Sequence, residues 1–318
     1  MTLQQIYDLG IEMAKKADPR GEKAVDDCLK RAKKDYEGLS AKKKEFFDKE
    51  SLTNPYYDSR ILFGEPKTQV KRILAGIDAD ASEVLLTDRL REKGEKIDLL
   101  LSHHPSGHAY AGLHEVMEMQ AEMFAQSGVS INVAHALIQE RQGVVQRKIS
   151  PANHNQAVDT ARLLNVPLMA LHTICDNLGN KFMQDYLASK TFHTVGEVFE
   201  HVCEIPEFVE STKGKAGPFI ASGSESSRAG KITVGFTGGT NVSKELYMEL
   251  SKAGVGTLVE MHVSEDTLEE LRKLHINVID MGHIAADSLG MNLFLDELEK
   301  RGIKVIPCSG LIRVRRTK

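Results

Sequence analysis

The sequence predicts an α/β fold: an N-terminal helical segment, then two runs of alternating strands and helices with mainly parallel sheets. Three observations predict it. Short apolar runs recur along the chain, as in Ile97-Asp-Leu-Leu-Leu-Ser-His-His-Pro105 and Pro167-Leu-Met-Ala-Leu-His172, and runs of this length read as buried strands. Amphipathic helical stretches separate them, the βαβ signature of a largely parallel sheet. The first 50 residues or so contain no strand-like run.

Residues 1–55 read as helical: Leu3, Ile6, Leu9, Ile11 and Met13 give an approximate apolar stripe. The basic stretch Lys30 to Lys49 alternates with Asp35, Glu37 and Glu45, which suits a solvated helix face, and Asn54-Pro55 ends the segment. The first α/β run, 56–205, has a strand near Val70–Gly76, a helix around Ser82–Lys93 and the strand that ends at His103. A helical insertion at about 106–165 follows, with amphipathic stretches at 113–127 and 153–164, before the strand Leu168–His172. Phe182–Leu187 and Val195–Cys203 read as helical, and Glu207-Phe-Val as the start of a strand. Ser211 to Gly230, rich in Ser, Gly and Lys, reads as a mobile loop or hinge. In the second run, 206–318, strands are expected near 231–235, 256–260, 276–281 and 303–307, with helices at 242–253, 265–274 and 287–301, and an interleaving of the two lobes is compatible with this order.

Histidines stand at the ends of three of these strands: His103 and His104, His172, and His283. Ligands in open α/β sheets collect outside the carboxyl ends of the strands. Adjacent imidazoles in an extended strand point to opposite faces, so His103 and His104 can serve one site only where the chain is leaving the strand, as Pro105 suggests. His172 and His283 are each followed four residues later by an aspartate, Asp176 and Asp287. Chance predicts about two His-x-x-x-acid pairs in this composition, and there are five, starting at His114, His172, His193, His262 and His283. For His114 and His193 surface pairing along a helix suffices. At His172 and His283 the spacing coincides with a strand end, and four imidazoles with two carboxylates form a first-row transition-metal ligand set.

Composition narrows the classes. At 41% hydrophobic and 27% charged the chain has the make-up of a soluble globular protein, and no apolar run approaches the roughly 18 residues of a membrane span. Met-Thr-Leu-Gln-Gln-Ile-Tyr has no signal-peptide pattern, and the four dispersed cysteines form no Cys-x-x-Cys pair, so a reduced, cytoplasmic protein is expected. Net charge −4 argues against nucleic acid as a partner. The basic tail Arg313-Val-Arg-Arg-Thr-Lys318 reads as a solvated end. Thr237-Gly-Gly-Thr-Asn241 reads as a tight βα turn or an anion-holding loop without the phosphate-loop sequence. Glu260 and His262, after a strand, would approach the same cleft, and Cys175 needs no role as a nucleophile.

Read in order, these segments resemble the NGG-one-interacting-factor-three-like family, some of whose members are called GTP cyclohydrolase I type 2 homologues. Tyr57-Asp-Ser-Arg-Ile-Leu-Phe-Gly64 is similar to its Trp-Asp-Asn-x-Gly-Leu-x-x-Gly segment, and Ala75-Gly-Ile-Asp78 to its strand ending in a buried aspartate. Ser102-His-His-Pro105 is the most specific match. His172-Thr-Ile-Cys-Asp176 is similar to His-Thr-Asn-Leu-Asp, Glu260-Met-His-Val-Ser-Glu265 to Gly-Glu-Val-Ser-Glu, and Met281-Gly-His-Ile-Ala-Ala-Asp287 to Gly-His-Tyr-x-x-Glu. The resemblance implies two α/β lobes with a dinuclear metal centre in the cleft between them, and a homohexameric ring. It implies that His103 and His283 hold one divalent ion, His104 and Asp176 the other, and Asp287 bridges both, although the family's usual bridge is the longer glutamate. His172, left without an ion, is the candidate catalytic proton carrier or orienting residue.

Mixed imidazole and carboxylate ligands suit Zn, Fe, Mn or Ni. The leading functional expectation is a dinuclear-metal hydrolase acting on an anionic small molecule, phosphorylated or nucleotide-like, since paired ions clamp attacking and leaving oxygens. The alternative is a non-catalytic metal-binding ring with a regulatory or interaction role. A third, GTP cyclohydrolase-type activity, rests on the family label alone.

Overall fold

A computed structural model describes residues 1–316. The N-terminal segment folds into three helices: α1 (Leu3–Ala17), α2 (Glu22–Gly38) and α3 (Ala41–Glu45). Thr2 and Gln5 close a capping box on α1. The buried side chains of α1, among them Leu3, Ile6 and Tyr7, join the main core, whereas α2 buries only Val25 of this kind.

The first α/β run comprises β1 (Ser59–Phe63), β2 (Arg72–Gly76), α4 (Ala81–Glu92), β3 (Leu99–Ser102), α5 (Gly107–Ala111), α6 (Met119–Gln126), α7 (Ile131–Ile149), α8 (Gln156–Leu163), β4 (Leu168–Leu171) and α9 (His172–Ala188). After it come α10 (Val195–Val202), α11 (Pro206–Lys213), β5 (Phe219–Ser222), β6 (Lys231–Gly235), α12 (Lys244–Lys252), β7 (Val255–Glu260), α13 (Glu265–Lys273), β8 (Asn277–Asp280), α14 (His283–Lys300) and β9 (Lys304–Pro307). The strands form two sheets, in the orders β1-β4-β3-β2-β9 and β5-β8-β7-β6. Each is parallel except for one antiparallel edge strand, β1 or β5.

Two segments depart from the sequence reading. Glu207-Phe-Val lies in α11, not a strand: Pro206 occupies the first helical turn, where its missing N–H costs nothing, and Phe208 enters the core. The Ser211–Gly230 stretch contains β5, an edge strand of four residues whose Phe219 is exposed, too short and too open to carry an apolar alternation. Strand β9 pairs with β2, so the end of the chain returns to the first sheet.

The two sheets repeat one plan. In each, an antiparallel edge strand flanks a strand whose C-terminal end feeds a long helix that begins with histidine, β4 into α9 and β8 into α14. These two helices lie between the sheets. Ile174, Leu178, Phe294 and Leu295 enter the core beneath the first sheet, and Met183, Leu187, Ala285 and Leu289 the core beneath the second. Both helices are buried over most of their length, polar residues such as Asn177 and Asn292 included. They touch closely at Gly179 and Gly290: a Cβ built on Gly179 would lie 3.4 Å from the Gly290 Cα, and one on Gly290 would strike the Cys175 carbonyl oxygen. Each glycine stands three residues after the aspartate of its helix, Asp176 or Asp287, so the close contact brings the two carboxylates together. The insertion is built of helices and divides between the sheets: on the side of the second, α7 and the turn before α6 pack Met117, Ala134 and Ile138 against Leu246, Tyr247 and Leu258, while on the side of the first, α5 and α8 pack Ala109, Ala157 and Ala161 against Leu62, Leu74 and Leu100.

Candidate metal centre

The histidines at the strand ends converge. Beyond the paired residues Gly76 and Ser102 of β2 and β3, the chain turns out of the sheet, with the amides of His103 and His104 bonded to the Ile77 carbonyl. Both rings therefore reach one site, their centroids 5.2 Å apart. His172 stands 4.9 Å from His103, and His283 5.4 Å from His104. Asp176 and Asp287 lie one turn into their helices, on the same face as the histidines that begin them.

The ring nitrogens are oriented. His103 Nδ1 donates to the Leu171 carbonyl at 3.3 Å, His104 Nδ1 to Asp78 at 2.7 Å and His172 Nδ1 to Asp58 at 2.7 Å. Each bond fixes the tautomer that leaves Nε2 facing the centre, as metal-ligating histidines are held. His103 Nε2 lies 3.2 Å from Asp176 Oδ1 and 3.4 Å from Asp287 Oδ1. His104 Nε2 lies 3.2 Å and His283 Nε2 3.5 Å from Asp287 Oδ2. Asp287 thus turns one oxygen to each of two trios, His103–Asp176–Asp287 and His104–His283–Asp287, and His172 forms a third ligand-capable trio with His103 and His104. By proximity of side chains His103 goes with Asp176 and His104 with His283, where the resemblance implies His103 with His283 and His104 with Asp176. The reason is positional, since His103 and Asp176 are buried beside α9 while His104 and His283 stand at the open rim.

The electrostatics suit a bound cation. His103 Nε2, Asp176 Oδ1 and both Asp287 oxygens are buried without a hydrogen-bond partner among the described residues. Polar atoms so placed are costly unless an ion or another group completes them. Burial disfavours charge on His103, but Asp287 and Asp176 outweigh it and hold the imidazole well above its usual range. Burial likewise opposes charge on Asp287, and His103 with its neighbours holds that carboxyl far below the carboxylate range. Burial pushes His283 down, keeping a lone pair free. The donors present therefore fit divalent metal ions.

Asp58 and Asp78 are the residues that sequence reasoning left without a role. Asp58 is fully buried, and against the cost of burial His172 and Thr173 keep its carboxyl ionised. Asp78 is exposed rather than buried. The signal for it was register: Asp78 and His104 each follow the paired residues Gly76 and Ser102 by two positions. His262 stacks on His283, ring centroids 4.6 Å apart and planes at 11°. Cys175 is buried against Met291, and burial raises its thiol out of nucleophilic range. Thr237–Asn241 packs under the insertion, where Gln120 donates to the Thr240 carbonyl. In the basic tail the Arg313 side chain is buried against Asp296 and Glu299 and Arg316 grips Glu207 with two bonds of 2.6 Å, while Arg315 is exposed and Thr317 and Lys318 lie outside the described residues.

Beside the centre opens a cavity of about 850 Å³, whose lining includes His172, Asp176, His262 and His283.

The chain is similar to a NIF3 superfamily protein from Sphaerobacter thermophilus, with 29% identity, 80% of this chain and 92% of that one covered and a TM-score of 0.72. Weaker likenesses include reduced HcgD from Methanocaldococcus jannaschii (14% identity, 85% and 97% covered, TM-score 0.48) and a protein from Thermus thermophilus (13%, 81% and 89%, 0.44). No functionally curated protein matches. The model of the family described as Duf34/NIF3 (NGG1p interacting factor 3) matches residues 50–309, and the chain belongs to that family.

Proposed function

We propose that this protein is a divalent-metal-dependent hydrolase acting on a phosphorylated or nucleotide-like small molecule. The observation that carries the reading is the pair of ligand trios sharing Asp287 beside a cavity large enough for a substrate. Structural zinc sites are closed by four protein ligands, whereas catalytic sites keep positions open. Here His103, Asp176 and Asp287 would hold one ion, and His104, His283 and Asp287 the second. Three protein ligands each leave room for a substrate.

Divalent ions in this place supply polarisation of a phosphoryl oxygen and acidification of water. Asp176 and Asp287 contribute only two negative charges to the ligand set, so a site loaded with two such ions favours an anionic group. His172, steadied by Asp58 through Nδ1, presents Nε2 towards the same space and is the residue placed to carry a proton. Imidazole and carboxylate together suit Zn, Fe, Mn or Ni. Ring assembly belongs to the same proposal. Leu85 and Leu86 on α4 and Leu163 on α8 are exposed on neighbouring helices and offer it an apolar face.

Elemental analysis of tag-free protein, beside a His104→Ala, Asp176→Ala variant, tests the centre. Near two ions per chain, falling to one or fewer in the variant, together with phosphoester turnover lost in His104→Ala, is the expected result. Holo-protein that turns over no phosphoester would instead favour a non-catalytic metal-binding role.

A further inference from the structure

The cavity is far larger than a phosphoryl group needs, and its lining carries, beside the residues of the centre, a carboxyl the proposed chemistry does not use. Glu260, the last residue of β7, pairs in register with Gly235 of β6. Its side chain lies across that glycine: a Cβ on Gly235 would collide with both carboxyl oxygens. The strand gives up a side chain there, and the carboxyl occupies the space at the cavity wall. Tyr247 of α12 lines the same cavity, its hydroxyl held protonated by burial first and by Glu260 second. Met123, Phe124 and Phe192 supply apolar surface around the cavity. Apolar walls with a few polar groups that fix orientation are the make-up of a small-molecule site.

We propose that the Glu260–Tyr247 end of the cavity is a subsite for a planar heterocycle that presents a hydrogen-bond donor beside an acceptor. It would hold the part of the substrate remote from the phosphoryl group, and it deepens the hydrolase reading, on which it rests for the phosphoryl end alone. Burial first, and then the neighbouring Asp280, push the Glu260 carboxyl up to about 8, and among the described residues no hydrogen bond draws it down. At neutral pH it keeps its proton and offers a donor and an acceptor in one plane. A lactam or aminopyrimidine edge matches that pair with two parallel hydrogen bonds, and an anionic group does not. The two ends of the cavity are therefore complementary to different parts of one molecule, a neutral ring and an anionic phosphoryl group.

The test uses metal-loaded protein and uncharged probes, adenosine and uridine, with ribose as control, by isothermal titration calorimetry. Nucleoside binding at least tenfold tighter than ribose is expected. Glu260→Ala should weaken it tenfold or more, while Glu260→Gln, which keeps a donor and an acceptor, restores it to within about threefold. Gly235→Ala, which displaces the carboxyl without removing it, should weaken binding as Glu260→Ala does. Metal content and Tm of each variant establish that the fold and centre are intact. Nucleosides that bind no better than ribose, or bind Glu260→Ala as tightly as wild type, overturn the subsite. Turnover of p-nitrophenyl phosphate, which has no such edge, separates the two readings: turnover without nucleoside binding removes only the subsite, and nucleoside binding without turnover of any phosphoester upholds the subsite and removes the hydrolase.

Discussion

Replacing Glu260 by glutamine should change how stability depends on pH, in a direction the structure determines. The folded protein holds this carboxyl at about 8 against an ordinary value of 4.5, through burial and the proximity of Asp280. In the unfolded chain the group ionises from about 4.5 upwards, while in the folded state it stays protonated until about 8. Between those values the unfolded state binds fewer protons than the folded one, so stability falls as pH rises through the window and levels off above it. At about 1.4 kcal/mol per unit, a window of three to four units gives an upper figure on the order of 5 kcal/mol. The carboxyl borders a cavity that admits water, and screening reduces the working figure to about 2–3 kcal/mol. Glutamine fills the same space and never ionises. Urea unfolding of both proteins at matched metal content, from pH 5 to 9, isolates the effect, because titrations common to both cancel in the difference. Glu260→Gln should gain about 2–3 kcal/mol on wild type between pH 5 and pH 8.5, reporting the Glu260–Asp280 pair as a unit. A difference that stays flat across the range would mean that the folded protein does not hold this carboxyl neutral.

Four further outcomes are expected. Asp58→Ala, which leaves His172 Nδ1 without its partner, should lower metal affinity or phosphoester turnover by about 10–100-fold, read by metal titration and kinetics; unchanged values would deny Asp58 that role. Gly290→Ala should drive α9 and α14 apart, cost roughly 1–3 kcal/mol or more by overpacking, and loosen metal binding, measured by thermal unfolding and elemental analysis. Arg313→Ala strands the buried Asp296 and should cost about 3–5 kcal/mol in urea unfolding, where a solvated tail would cost almost nothing. Leu163→Glu should shift the assembly to smaller species in sedimentation velocity if α4 and α8 form the ring contact; an unchanged distribution removes that face.

What could be read from the sequence follows from where the information lies. Strands β2, β3 and β4 of the first sheet are short apolar runs ended by glycine or histidine, and their alternation with amphipathic stretches carries the α/β class. The N-terminal helices announce themselves in the same way. Edge strand β5 does not, because four residues half open to solvent have no pattern to show. The docking of Arg313 and Arg316 was illegible for another reason: they are paired with Asp296, Glu299 and Glu207, partners that only the folded chain brings near.

The candidate ligands were legible because each stands where a strand stops, and the four-residue spacing places each aspartate over its histidine on one helical face. Their partition into two trios was not. That depends on how closely α9 and α14 approach, and the cause of the approach is two glycines whose spacing carries no chemistry of its own. Asp-x-x-Gly occurs on both helices, in Asp176–Gly179 and Asp287–Gly290, and the glycine contact sets the distance between the carboxylates. With that distance small, a side chain one methylene shorter than glutamate can still turn one oxygen to His103 and the other to His104 and His283. The short reach of Asp287 and the close helix packing are thus two parts of one solution. A glutamate at 287 would need the helices to stand farther apart or its own chain to fold back. Asp287→Glu should therefore lower metal content in the present packing, although it restores the longer carboxylate. Undiminished loading in that variant would show that the helix spacing does not govern the centre.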